Sequence, residues 1–353
     1  MMDLKDIVGS SNNPNASIAK DGVQGDVAGF IDTGSYALNA LLSGTIYGGV
    51  ASNKITGFAG EHSTGKTFFA LAVAKQWLID NPTGYVLYFD SEDAVTSRML
   101  DERNIDRNRV ASFPVATIEE FRHQVISVLD NYLKQPEKKR NPIFVVLDSL
   151  GNLSTNKEMT DTAEGKHTKD MTRAGLIRAT FRVLTIKLGE ASVPMLVTNH
   201  TYDKIGSFFP MQEISGGKGL KYAASTIVML SGKKDRDGKD VIGNIIHCKT
   251  YKSRFTKENQ IIDVSLNYDT GLNRYYGLVE FAIAEGIFKQ LGTRIELPDG
   301  TKVFEKRLYA QGDKFFTKEI LDKIDVAVGK RFRYGSTLTL DEQDVELEEE
   351  ANE

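Results

Sequence analysis

The sequence predicts an α/β protein. A mostly parallel sheet carries helices on both faces, antiparallel strands extend one edge, and a small C-terminal α+β module follows. Three observations lead there. A strand, a glycine loop and a helix succeed one another over residues 54–78. Continuous apolar runs that end in an acid, Tyr85–Asp90 and Ile143–Asp148, alternate with helical stretches, as expected of parallel strands buried on both faces. After residue 222 the strands become short and close in sequence, which favours antiparallel neighbours.

In chain order, residues 1–28 are rich in Ser, Asn, Gly and Ala and are expected to form a flexible arm with a short ordered piece. A short helix, Tyr36–Leu42, is capped by Ser35 or Thr33 and stopped by Gly44. Lys54–Ala59 reads as a strand and Phe68–Leu78 as a helix. Thr117–Lys134 places Phe121, Val125, Val128, Leu129 and Tyr132 on one face. Thr168–Glu190 reads as a long helix with Met171, Ala174, Ile177, Phe181, Leu184 and Leu188 in a stripe. Val193–Asn199 is a further strand. Thr226–Leu230, Asn244–Lys249 and Gln260–Leu266 form the antiparallel part, with a turn at Asp235–Gly238. Gly277–Phe288 and Thr317–Val328 read as helices around a hairpin turn at Pro298-Asp299-Gly300. The expected divisions are an arm (1–28), a core (29–275), a module (276–335) and an acidic disordered tail (336–353).

Composition narrows the function classes. The chain has 353 residues, 41% hydrophobic and 26% charged, enough for one large α/β core with additions. A single cysteine, Cys248, excludes an intramolecular disulfide and a cysteine zinc site, and fits a reducing cytoplasm. No apolar run approaches the roughly 20 residues of a membrane span, so no membrane partner is expected. The net charge of −4 hides an asymmetry: residues 341–353 carry eight acids and no base. A slightly basic body with an acidic tail fits either a nucleic-acid binder with a built-in competitor or a plain solubilising tail.

Gly60-Glu61-His62-Ser63-Thr64-Gly65-Lys66-Thr67 fits G-x-x-x-x-G-K-[ST] in the required strand–loop–helix setting. Its backbone N–H groups and the helix N-terminus suit phosphate. Lys66 is expected at the β- and γ-phosphates of ATP and Thr67 on Mg²⁺. Asp148, closing its strand, is placed as the second metal-orienting acid; an acid satisfying the following helix N-terminus is the plainer alternative. Glu92, just past Asp90, is placed to polarise a water; a surface carboxylate is the plainer alternative. Asn199 and His200 end the next strand, where a polar side chain can sense a γ-phosphate. The segment Thr201–Gly219 holds Phe208 and Phe209 beside Lys204, then Ser215-Gly216-Gly217-Lys218-Gly219. Adjacent aromatics in a polar loop can stack on bases while lysines meet phosphates; packing back onto the protein is the alternative. A second polar loop, Ser154–Lys169, offers Lys157, Lys166 and Lys169.

Taken together the chain resembles the RecA-family recombinases, their tailed-phage branch most closely. The resemblance rests on Ile31-Asp32-Thr33-Gly34-Ser35, Gly60–Thr67, Phe89-Asp90-Ser91-Glu92, Leu147–Leu153, Asp170–Ala174, Thr198–Tyr202 and Gly216-Gly217-Lys218-Gly219. It implies a RecA-type P-loop ATPase core and a DNA-dependent ATPase that forms a helical filament on single-stranded DNA. Such a filament pairs with double-stranded DNA and exchanges strands. ATP and Mg²⁺ are the implied cofactors, with ATP at the subunit interface. Implied partners are DNA, further copies of the chain, and single-strand-binding and mediator proteins, in the cytoplasm of a phage-infected bacterium. By this resemblance Glu92 activates the attacking water and His200 is the γ-phosphate sensor. Residues 154–169 and 201–217 hold DNA, Lys252 and Arg254 reach the neighbouring subunit's ATP, and the 1–28 arm docks on another subunit. Two departures stand out. His62 replaces a glutamate in the loop, and Met99 stands where an adenine-stacking tyrosine is common. A ring helicase or motor would share Gly60–Thr67, Glu92 and Asp148, as would an ATP-switched DNA-binding mediator. Asp170–Ala174 and Asn199–Tyr202 argue against the ring motor.

Overall fold

The computed structural model describes residues 3–13, 16–166, 171–203 and 212–335. The first helix, α1 (Leu4–Ser10), is closed by a capping box between Asp3 and Asp6, yet buries none of its residues. Two short strands, β1 (Phe30–Ile31) and β2 (Val50–Ala51), pair around α2 (Tyr36–Ser43). Ser35 caps α2 by accepting from the Leu38 N–H, and Gly44 ends it in the left-handed conformation. The expected caps hold.

The main sheet follows. In chain order its elements are β3 (Ile55–Gly60), α3 (Lys66–Asp80), β4 (Tyr85–Asp90), α4 (Ser97–Glu102), β5 (Val110–Pro114), α5 (Ile118–Lys134) and β6 (Ile143–Asp148). Then come α6 (Asn156–Ala163), α7 (Arg173–Ala191), β7 (Met195–Asp203), β8 (Gln212–Ile214), α8 (Lys218–Ala223), β9 (Thr226–Asp237), β10 (Asp240–Ser253), β11 (Ile261–Asn267) and β12 (Gly271–Leu272). The strand order is β12-β11-β10-β9-β3-β7-β6-β4-β5, with β8 paired to the end of β7. Strands β9 to β5 along this order run parallel, and β10, β11 and β12 are antiparallel additions. The mixed sheet is the one the sequence predicts.

Alternation along the strands feeds two cores. Tyr88, Phe144, Val146 and Leu196 join one hydrophobic cluster with Phe69, Val73 and Trp77 of α3. Leu87, Phe89, Val145, Leu147 and Val197 join the other with Phe121, Val125 and Leu129 of α5 and Ile177, Phe181 and Leu184 of α7. Each such side chain contributes about 1.5–3 kcal/mol on burial. The helical stripe of α7 begins later than expected. Met171 is 87% exposed, before the first turn at Arg173.

The C-terminal residues form α9 (Leu278–Ala284), a three-stranded antiparallel sheet of β13 (Lys289–Leu291), β14 (Arg294–Glu296) and β15 (Lys302–Phe304), then α10 (Glu305–Ala310), α11 (Gly312–Phe315) and α12 (Lys318–Phe332). The Pro298-Asp299-Gly300 turn joins β14 to β15, and Asp299 accepts from the Thr301 N–H at 2.9 Å. Phe281, Phe288, Ile324 and Phe332 belong to the same hydrophobic cluster as α2 and α3. Asp325 on α12 accepts from both Thr45 Oγ1 and the Ile46 N–H at 2.7 Å. Gly286, at φ 68°, stops α9 short of the expected Phe288.

Candidate nucleotide-binding site

The parallel register sets the site. Gly60 of β3 lies beside His200 of β7, and Asp90 of β4 beside Asp148 of β6. The carboxyl ends of adjacent strands therefore finish together, where open α/β sheets bind ligands. A cavity of about 340 Å³ opens there, lined by His62, Ser63, Gly65, Lys66, Thr67, Glu92, Met99, Asp148 and His200 among others. These are residues the sequence selects from five separate stretches.

Two loop glycines are required by geometry. A Cβ on Gly60 would lie 2.5 Å from the Leu230 carbonyl oxygen and 2.7 Å from Thr64 Oγ1. Gly65 has φ 86°, which only glycine adopts without strain. Thr64 Oγ1 donates to the Glu61 carbonyl at 2.9 Å. Lys66 is 7% exposed, and its Nζ donates to the Gly60 and Glu61 carbonyls at 3.1 and 2.7 Å. Burial lowers its pKa, while Glu92 and Asp148 pull it back up.

Asp148 is buried and accepts from Tyr88 Oη at 2.7 Å and from Thr198 Oγ1. Burial, then the Asp148 charge, keeps Tyr88 well above its ordinary pKa and so a donor. Asp90 turns the chain after β4, accepting from the backbone N–H groups of Glu92, Ala94 and Val95. That turn presents Glu92. Its Oε1 accepts from Ser149 Oγ at 2.5 Å and from His200 Nε2 at 2.7 Å. Burial would raise the Glu92 pKa, but the Ser149 and His200 hydrogen bonds and the Lys66 charge outweigh it and hold the carboxyl below its usual range. Both bonds fall on Oε1, so Oε2 can accept a proton from water. Asn199 takes another direction. It is buried, with Nδ2 on the Ser215 carbonyl and Oδ1 on the His200 N–H.

The oxygen donors Thr67 and Asp148 suit a hard cation such as Mg²⁺. Among the described residues no group of three His, Cys, Asp or Glu could hold a metal alone. A Mg²⁺ site completed by phosphate and water needs no such cage. Each Asp148 oxygen already accepts one hydrogen bond, and the carboxylate would orient the ion or its bound water alongside Thr67.

Other selected residues lie apart. Lys252 Nζ donates to the carbonyls of Lys221 and Ala224 at the end of α8. Burial, then Arg254, lowers its pKa. Arg254 is exposed beside Lys54, Thr185 and Ile186, away from its own chain's phosphate loop. Lys157 pairs with Asp161 at 2.6 Å, and Lys166 with Glu164, on and after α6, a helix where the sequence suggests a loop. Gly216 and Gly217 turn into α8 at φ 79° and 72°, and Lys218 opens that helix exposed. Lys169, Lys204, Phe208 and Phe209 lie outside the described residues. Ser149, Thr198, Tyr88, Phe68 and Arg103 escaped the sequence reading. Ser149 and Thr198 had a signal, since they lie in the motifs Leu147–Leu153 and Thr198–Tyr202 beside Asp148 and Asn199.

The profile of the RecA N-terminal domain matches residues 14–273. The chain belongs to the RecA family. It is 31% identical over 249 residues to the recombination and repair protein of Enterobacteria phage T4, a match covering 70% of this chain and 62% of that protein. It is 26% identical over 266 residues to protein RecA of Paenarthrobacter aurescens, covering 74% and 72% of the two chains. For protein RecA of Thermotoga sp. (strain RQ2) the figures are 26% over 294 residues, with 82% and 78% covered. The match thus spans less than two thirds of the phage relative. The mixed sheet with its terminal phosphate loop is the RecA fold, and among the described residues no helix is long and apolar enough to cross a membrane.

Proposed function

We propose that this chain is an ATP-dependent recombinase that polymerises on single-stranded DNA and promotes homologous pairing and strand exchange. The observation that carries the reading is the link between the phosphate cavity and the 204–211 segment. His200 bonds Glu92 inside the cavity, while its carbonyl accepts from the Ser215 N–H at 2.9 Å. Just beyond it, Thr201–Asp203 pairs with Gln212–Ile214, and Gln212 Nε2 donates to Glu61 of the phosphate loop at 2.5 Å. A group that meets a γ-phosphate at His200 therefore acts beside Asp203 and Gln212, the described residues that flank the segment with Phe208 and Phe209.

Lys66 neutralises the phosphates, and Thr67 and Asp148 hold Mg²⁺, which supplies charge compensation for phosphoryl transfer. Ionised Glu92 takes a proton from the attacking water through Oε2. Loss of the γ-phosphate frees His200 and with it the β7–β8 hairpin, releasing DNA. Phe208 and Phe209 stack on bases, and Lys204 and Lys218 meet the strand's phosphates. Arg254 serves the adjacent subunit's ATP; Lys252, tied to α8, positions that edge. The relatives' names, a phage recombination and repair protein and RecA proteins, support the reading.

ATP hydrolysis measured with and without single-stranded DNA tests it. Stimulation by DNA that Glu92→Gln abolishes is the expected result. Hydrolysis indifferent to DNA counts against it. Electron microscopy with a slowly hydrolysed ATP analogue should show continuous filaments; closed rings would favour a helicase.

A further inference from the structure

Two cavities meet at one pair of side chains. Phe68 and Arg103 line both the phosphate-loop cavity and a second cavity of about 370 Å³ between α3 and the Tyr268–Leu272 turn. With ATP phosphates at Lys66 and Thr67, as proposed above, Glu92, Asp148 and His200 would line the γ-phosphate end of the same cavity. The nucleoside then leaves toward Phe68, Met99 and Arg103. There the Arg103 guanidinium carbon lies 4.9 Å from the Phe68 ring centroid. Arg103 Nη1 donates to the Met99 carbonyl at 3.0 Å, one helical turn back, while its buried Nε has no hydrogen-bond partner. The ring contact and a single backbone bond hold the group, so it is free to adjust over a ligand.

A guanidinium is planar and stacks on aromatic faces, nucleobases included. The thioether of Met99 offers no such plane. We propose that Arg103, backed by Phe68, is the platform on which the purine base of the bound nucleotide stacks, and that it sets the preference for purine over pyrimidine. The inference rests on the reading of the phosphate-loop cavity as an ATP site.

Isothermal titration of the full chain in Mg²⁺ buffer, with ATP, UTP and inorganic tripolyphosphate, separates the two claims. Arg103→Ala should weaken ATP binding about tenfold, the size of one desolvated cation–π contact. Tripolyphosphate affinity should stay within about twofold, which also reports a folded phosphate loop. The ATP-over-UTP preference should shrink. Arg103→Lys should behave like Arg103→Ala, because an ammonium keeps the charge and loses the plane. Unchanged ATP affinity in Arg103→Ala overturns the proposal. So does tripolyphosphate weakening in step with ATP, or full rescue by Lys. If the unaltered protein binds neither ATP nor tripolyphosphate, the ATP-site reading falls and this inference with it.

Discussion

Ser149→Ala should move the acidic limb of ATP hydrolysis to higher pH. The Ser149 hydroxyl donates to Glu92 Oε1 at 2.5 Å, and its own backbone N–H is held by Ser91 Oγ at 2.9 Å. The donor is thus fixed by the strand ends and is not a side chain that happens to lie close. A hydrogen bond to a charged group contributes about 1.5–3 kcal/mol. The Glu92 side chain is 26% exposed, so solvent screens part of this, and the lower end, about 1.5 kcal/mol, is the better figure. Removing the donor withdraws that stabilisation from the ionised form only. The sign follows from the balance of causes. Burial raises the Glu92 pKa and the two donors lower it; with one donor gone, burial weighs more and the pKa climbs. Below that pKa Glu92 is protonated and cannot take a proton from water, so activity should fail at a higher pH than in the unaltered protein. The assay is the pH profile of DNA-stimulated ATP hydrolysis from about pH 4 to 8, bracketing the ordinary carboxylate range. An acidic limb that does not move in Ser149→Ala, while Glu92→Gln is inactive, would show that Ser149 does not govern the Glu92 charge.

Thr198→Val removes one of the two hydroxyls that donate to buried Asp148 and should cost about 1–3 kcal/mol in urea unfolding. Asp148→Asn should raise the Mg²⁺ concentration needed for half-maximal hydrolysis, about ten- to a hundredfold if it acts through bound water; an unchanged Mg²⁺ titration would remove Asp148 from the metal. Gly60→Ala pushes a Cβ against the Leu230 carbonyl and should lower stability by about 1–3 kcal/mol and weaken nucleotide binding. Asp325→Ala strips the Thr45 and Ile46 donors of their acceptor and should lower the melting temperature, with a cost of about 1–3 kcal/mol. An unaltered melting curve would mean that the Asp325 contacts contribute nothing to holding α12, leaving it to apolar packing and to bonds such as Tyr47 Oη to Asp322.

Much of the fold follows from local pattern. The runs Tyr85–Asp90 and Ile143–Asp148 form strands over the expected residues, and Thr117 caps α5 where the periodicity begins. The weaker elements do not. β5 is a short edge strand with no fully buried residue, so it carries no long apolar run, and the length of the β9–β10 hairpin comes from pairing along its whole edge. α6 lacks a buried face, and its helical form comes from the Thr155 cap and the Lys157–Asp161 pair.

The same division holds at the site. The sequence by itself determined the phosphate loop, the acids Glu92 and Asp148, and His200, because spacing and strand ends are local properties. Only the tertiary structure decided that Ser149 and His200 share one oxygen of Glu92, and that Asn199 turns inward to Ser215. It also decided that Lys252 is bound to α8 and that Arg103 stands between two cavities. Each of those contacts depends on which strand lies beside which and in what register, and no residue carries that information alone.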